Sequence, residues 1–217
     1  MKEQPQVEFP ITNNSHFSVG VDEIYSDFEV WQSFKQGNKS AFIFIYETYF
    51  DLLFRYGSRI SQNDELVKDA IHDVFFDLRQ NCNTIGDTSS IKFFLFKCLK
   101  SKILKELKGW LGKKEEFDEK LSFEITFSHE QILIESQVNE EKSQRINRAI
   151  QELSPRQREA VYYLYFEGMT YKQVSELMEL SSTKSARDIV YKSLRLLRES
   201  LDYLPLYFIL ALRILCF

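Results

Sequence analysis

Asp69, His72, Asp73 and Asp77 recur about one helical turn apart, the spacing at which imidazole and carboxylates share a face and could hold a metal ion. No second cluster in the sequence completes such a site. No Gly-rich phosphate loop and no nucleophile–base pair accompanies it, so neither catalysis nor a metal or cofactor is expected. An acidic, solvated stripe that docks on a partner is the better reading. The cations form a stronger pattern. Lys184, Arg187, Tyr191, Arg195 and Arg198 fall three or four residues apart, and Ala186, Val190, Ser193, Leu197 and Leu201 fall on the other side at the same spacing. Arg and Lys donate to guanine edges or phosphates, and Tyr reaches a phosphate or a thymine methyl. A solvated helix face gives the same pattern. A short helix and tight turn just before it favour a helix-turn-helix on duplex DNA.

Residues 89–108 repeat the design with six lysines against one glutamate. Leu95, Phe96, Leu99, Ile103 and Leu107 make one face, and Lys97, Ser101, Lys105 and Lys108 the opposite one. Phe93 and Phe94 stand at the start of this helix, beside a loop at 81–90. Cations that track a backbone, next to aromatics that stack on bases, suit single-stranded nucleic acid. Phe96 reads as core. Phe93 and Phe94 admit both the core and the stacking role.

The elements that must position these residues are helical. The chain has 217 residues, enough for one large or two small domains, and only 7 Gly and 4 Pro, which favours helices over a many-turned sheet. Phe (19) and Tyr (11) are plentiful enough to fill the cores. The net charge is −4, yet residues 115–142 carry nine acids against two lysines, so the negative charge is gathered away from the cationic stretches. Cys82, Cys98 and Cys216 are odd in number, without metal-type spacing, and read as reduced thiols of a cytosolic protein. The first residues lack an apolar run, so no signal peptide is expected.

Periodicity predicts a helix over 22–35 capped by Asp22, a long helix over 40–60, and a third from about 64 to 80. The helix capped by Ser89 or Ser90 follows. Residues 131–152 are again helical. Ser154 caps and Pro155 opens a helix ending near Gly168, and Thr170 caps a short helix to Met178. Val174, Leu177 and Met178 should pack under Ala186, Val190 and Leu197. The fold class is all-α, with a loose arm at 1–20, a helical domain at 21–108, an acidic linker at 109–144, a helix-turn-helix domain at 145–202 and a hydrophobic tail at 203–217. The tail's fifteen residues, broken by Pro205 and Arg213, fall short of the about 20 that a membrane span needs. It is expected to pack on its own domain or mask a partner surface, with membrane-surface attachment the lesser alternative.

The segments "VWQSFKQGNKSAFIFIYETYFDLLFRYG" (30–57), "KDAIHDVFFDL" (68–78), "IKFFLFKCLKSKILKELK" (91–108), "LSPRQREAVYYLYFEGMTYKQVSEL" (153–177) and "SARDIVYKSLRLLRES" (185–200) carry a resemblance. In order and type they resemble an extracytoplasmic-function sigma factor of the sigma-70 family, nearest the iron-citrate-regulator-like branch common in Bacteroidetes. The resemblance implies two helical domains that bind core RNA polymerase and promoter DNA. It implies clamp contacts by Asp69, His72, Asp73, Phe75 and Phe76. It implies minus-ten recognition and melting by the 81–90 loop, with Asn81, Asn83, Thr84 and Ile85, together with Phe93, Phe94 and the face of Lys97, Ser101, Lys105 and Lys108. It implies minus-thirty-five recognition by Lys184, Arg187, Asp188, Tyr191 and Arg195, with the second domain on the β flap and residues 115–142 near the active-site channel. Family members often have an anti-sigma partner. Phe94 stands where the family usually has Trp, Ser101 where it has Asn, and Glu179 where the helix-turn-helix turn has Gly. Two rivals remain at this level: a sigma-like adaptor that does not read a promoter, and a helix-turn-helix regulator that binds duplex DNA alone.

Overall fold

Most of the helices begin where a short polar side chain takes up backbone N–H groups that the first turn leaves over. A computed structural model of the chain describes residues 26–111, 123–125 and 140–200. The arm at 1–20, the cap expected at Asp22, and the tail at 203–217 with Cys216 lie outside them. So does most of the stretch expected as linker. In the first unit, Ser26 caps α1 (Asp27–Lys35): its hydroxyl accepts from the Glu29 N–H at 3.3 Å, and the Glu29 carboxylate accepts from the Ser26 N–H at 2.9 Å. Asn38 caps α2 (Lys39–Ile60) and Asn63 caps α3 (Asp64–Gln80), each amide oxygen accepting from two backbone N–H groups. Ser90 accepts from the Phe93 N–H at the head of α4 (Ile91–Leu111), 3.3 Å away.

In the second unit α5 spans Glu140–Glu152 and α6 Pro155–Val161, and α6 runs on through a π-helical turn, Tyr162–Phe166. α7 spans Tyr171–Leu177 and α8 Thr183–Ser200. Ser154 with Gln157 and Thr170 with Gln173 form reciprocal caps, and Ser182 accepts from the Ser185 N–H at 3.2 Å. The chain divides into Met1–Phe117 and Asp118–Phe217. Among the described residues there is no strand, and the fold is all-α.

The first unit's core is aromatic and aliphatic in layers. Trp31, Ile45, Leu53, Tyr56, Ile71, Leu95, Phe96, Leu99 and Ile103 are fully buried. The rings of Tyr56 and Phe96 stack 4.1 Å apart and only 6° from parallel. α2 meets α3 and α4 at Gly57, where an added Cβ would come within 2.5 Å of Val67 Cγ1 and 3.3 Å of Ile103 Cδ1. No other residue fits that approach.

The second unit buries Val174, Leu177 and Met178 of the short helix with Ala186, Val190 and Leu197 of α8, the pairing that periodicity predicts. Phe123 and Ile125, inside the acidic stretch expected as linker, are also buried. Phe123 lies 5.3 Å from the Tyr162 ring and 6.0 Å from Tyr163, and the Ile125 carbonyl accepts from Gln151 Nε2 at 3.4 Å. Glu124, between the two, is half-buried.

Candidate nucleic-acid and partner surfaces

The loop at 81–90 is built from its two ends. Asn81 ends α3, its side-chain amide donating to the Asp77 carbonyl at 2.8 Å. The Asn81 carbonyl accepts from the N–H groups of Thr84 and Ile85, each 2.9 Å away, and from the Thr84 hydroxyl at 3.2 Å. At the other end the Thr88 hydroxyl donates to the Ser90 carbonyl at 2.9 Å and accepts from the Ser90 N–H at 3.2 Å. Between this loop, α3 and α4 opens a cavity of about 810 Å³. Asn81, Ile85, Phe93, Phe94, Lys97, Ser101 and Lys105 all line it, so residues from the loop, the head of α4 and its cationic face meet at one place. Asn83 and Thr84 are exposed on the loop outside the lining, as is Lys108 on the helix. Phe93 is half-buried. Phe94 is half-buried too, and its ring packs 5.0 Å from that of Trp31, which gives it a core partner.

Of the lining residues that spacing does not single out, two bear on the cavity's chemistry. Cys98 is one, and burial pushes its thiol up, so the neutral thiol faces the cavity. Lys102 is the other. It donates to Asp77 at 2.7 Å and lies 3.7 Å from Asp73, and the Asp77 bond foremost holds its ammonium above the usual lysine range. Lys102 therefore ties α4 to α3. No spacing within either helix signals a pair that joins residues so far apart.

The acidic stripe on α3 divides by direction. Asp69, His72, Asp73 and Phe76 are exposed, Phe76 to 62%. Phe75, expected on the same docking face, is only 3% exposed; its ring lies 4.7 Å from Tyr46 and 6.2 Å from Phe42. Neighbouring helix positions point about 100° apart. Val67, Ile71, Val74 and Leu78 face inward, so Phe75 goes with them and Phe76 turns out. The signal was present in that spacing. His72 stacks loosely beside Phe50, with ring centroids 6.3 Å apart. Among the described residues no group of three or more His, Cys, Asp or Glu is placed to hold a metal ion.

On α8, Lys184, Arg187, Asp188, Tyr191 and Arg195 are exposed together, opposite buried Ala186, Val190, Ser193 and Leu197. The Ser193 hydroxyl donates to the Ile189 carbonyl at 2.8 Å, which satisfies it inside the core. The Arg187 guanidinium sits 5.4 Å from the Tyr171 ring centroid, a cation–π placement. Burial first, then Tyr191, raises the Tyr171 phenol, against the opposing pull of Arg187. Tyr171, at the head of α7, thus packs against Arg187 and is influenced by Tyr191, two of the side chains predicted to read DNA. It lies outside the cationic periodicity. Arg195 makes a loose pair with Glu199 on its own helix, 3.7 Å, worth little at such exposure.

The turn between α7 and α8 is closed by a Schellman motif. The Leu180 N–H donates to the Ser175 carbonyl at 2.8 Å and the Glu179 N–H to the Glu176 carbonyl at 3.3 Å. Glu179 takes the left-handed conformation this demands, with φ 50°. The same motif ends α1 with Gly37 at φ 83°, where the conformation carries no Cβ penalty.

Residues 143–189 match the family model described as sigma-70, region 4. No curated protein matches the sequence. The chain is similar in structure to the sigma factor RpoE, solved in complex with the anti-sigma factor NepR from Bartonella quintana. The TM-score is 0.51 at 16% identity over 74% of this chain and 96% of that one. It is similar also to CnrH, solved in complex with the cytosolic domain of CnrY, with TM-score 0.51 and 16% identity over 82% and 99% of the two chains. At this identity the likeness is one of fold. The chain thus pairs the all-helical fold of RpoE and CnrH with a segment that matches sigma-70 region 4.

Proposed function

We propose that the chain is a sigma factor of the extracytoplasmic-function group. It binds core RNA polymerase in the cytoplasm and directs it to a restricted set of promoters. The observation that carries this reading is the region 4 match over residues 143–189, set in a chain with the fold of RpoE. The division of labour follows the two cationic faces. α8 lies in the major groove of the upstream element, with Arg187 and Lys184 on base edges or phosphates and Tyr191 and Asp188 beside them. The first unit holds the downstream strand against Lys97, Ser101 and Lys105. The cavity they border, with Phe93 in its wall, has room for an unstacked base. The exposed stripe of Asp69, His72, Asp73 and Phe76 docks on the polymerase clamp, and Phe75 supports it from the core. The second domain meets the β flap.

The chemistry of initiation then belongs to the polymerase, and this chain supplies recognition alone. Two modest sites on one chain gain from effective concentration, so neither needs high affinity by itself. An anti-sigma partner fits the reading, since RpoE was solved with one. Placement in the iron-citrate-regulator-like branch rests on the sequence segments quoted above. Run-off transcription with purified core polymerase tests the whole proposal. Discrete start sites that vanish without this chain are the expected result. Equal DNA binding with and without polymerase, and no transcripts, would instead identify a helix-turn-helix regulator.

A further inference from the structure

α1 contributes none of the cavity lining, yet it grips the loop that does. The Trp31 indole N–H donates to the Gly86 carbonyl, 3.0 Å away. Gln32 Nε2 donates to Asp87 Oδ1 at 3.0 Å, and Lys35 Nζ donates to the same oxygen at 2.5 Å. Trp31 is fully buried, so its bond to the exposed Gly86 is shielded on the donor side; the Asp87 side chain is 63% exposed, so its ion pair is open to salt. At the head of α1, Asp27 accepts from the Ile91 N–H at 2.8 Å and from the Tyr49 hydroxyl at 3.4 Å, which fixes where α4 starts relative to α1 and α2. The loop's own bonds join Asn81 to Thr84 and Ile85, and Thr88 to Ser90. Gly86 and Asp87, between those ends, are the residues that α1 holds.

We propose that α1 is a clip that sets the conformation of the 81–90 loop, and that Trp31, Gln32 and Lys35 are positioning residues for the choice of downstream base. The second half of the statement rests on the promoter reading above. A loop left free in its middle would have to be ordered each time a strand arrives. Held in advance, it presents Asn81 and Ile85 to the strand as a preformed wall. The shielded indole bond should matter more than the exposed ion pair.

The test uses the full chain with Trp31→Phe, and with Lys35→Asp and Asp87→Lys singly and together. One readout is amide hydrogen exchange at Thr84 and Ile85, whose N–H groups are bonded to the Asn81 carbonyl beside the clipped residues. The other, with core polymerase, is the ratio of open complexes on the preferred downstream element to those on single-base variants. In Trp31→Phe, exchange at these amides should rise about tenfold. Base discrimination should fall about threefold, with upstream preference and polymerase affinity unchanged. Each single charge reversal should give a smaller rise in exchange, which the swapped pair should reverse; because Asp87 itself lines the cavity, discrimination is compared in Lys35→Asp alone. The exposed swap decides the matter even if Trp31→Phe proves poorly folded. Unchanged exchange, or a swap no better than its single members, overturns the clip. Faster exchange with unchanged discrimination overturns the positioning role. A wild-type chain that opens no promoter overturns the promoter reading and with it the positioning role; the exchange arm then judges the clip on its own.

Discussion

Lys97, Lys102 and Lys105 of α4 border a cavity, whereas the cations of α8 stand out from an exposed helix face. On α4 the lysines share their surroundings with carboxylates: Lys102 is bound to Asp77, and Asp77 and Asp87 both help to line the space. On α8 Arg187 lies over the ring of Tyr171, and Arg195 has only a loose, exposed pair with Glu199. Carboxylates beside lysines lower the net attraction for phosphate and leave shape and stacking to decide what enters. An aromatic partner leaves the charge of Arg187 intact and holds its direction. On the proposed promoter reading, one basic patch would admit a base and the other would be laid along a groove.

The contrast can be broken most sharply in the first unit. Combining Phe93→Ala with Lys97→Ala and Lys105→Ala should cut single-strand binding by about 100-fold, since one stacked base is worth roughly 1–3 kcal/mol and two phosphate contacts are lost besides. The logarithmic salt dependence should flatten by about 1.4. Permanganate reactivity of the opened strand measures the first and a salt titration the second, while upstream preference should not move. In the second unit Arg187→Ala should cost about 1–3 kcal/mol of discrimination at a single upstream base pair. Arg187→Lys should not restore it, because the ammonium lacks the planar fork. A selection over randomised upstream elements would show this, and Tyr171→Leu should blur the same position by about 0.5–1 kcal/mol. Asp69→Lys with Asp73→Lys should weaken polymerase binding about tenfold, chiefly through slower association, and leave both DNA faces as they are. Asp73 already shares Lys102, so Asp69 should carry more of that effect.

The smallest change sharpens the comparison by separating stability from reading. Glu179→Gly removes a left-handed penalty of about 1–2 kcal/mol but gives the unfolded chain more freedom, for a net gain of roughly 0.5–1 kcal/mol. Thermal unfolding should rise by a few degrees with promoter choice unchanged. Gly37→Ala should do the reverse in the first unit, at a cost of about 1 kcal/mol, although open space surrounds the site.

Much of the helical framework is visible in local sequence, because its causes are local. Asn63, Ser154 and Thr170 each announce a helix start by type and position, and the spacing of Val174, Leu177, Ala186 and Val190 is enough to pair α7 with α8. The inward turn of Phe75 is legible too, in the periodicity of Val67, Ile71, Val74 and Leu78. The rest is tertiary. Nothing near Gly86 says that an indole 55 residues away will bind its carbonyl. Nothing near Lys102 says which carboxylates it will meet. The burial of Phe123 and Ile125 was hidden by the acids around them, because a net charge averaged over a window hides two apolar side chains within it.

Tryptophan occurs twice in this chain, as Trp31 and Trp110. With Trp110→Phe in place, intrinsic fluorescence would come from Trp31 alone. An indole sealed from water and bonded to one carbonyl emits to the blue of a hydrated one. Any rearrangement that pulls Gly86 away from it would therefore shift the colour of that emission. The protein carries its own optical gauge of the 81–90 loop, readable in real time as single-stranded DNA is added, with no dye attached.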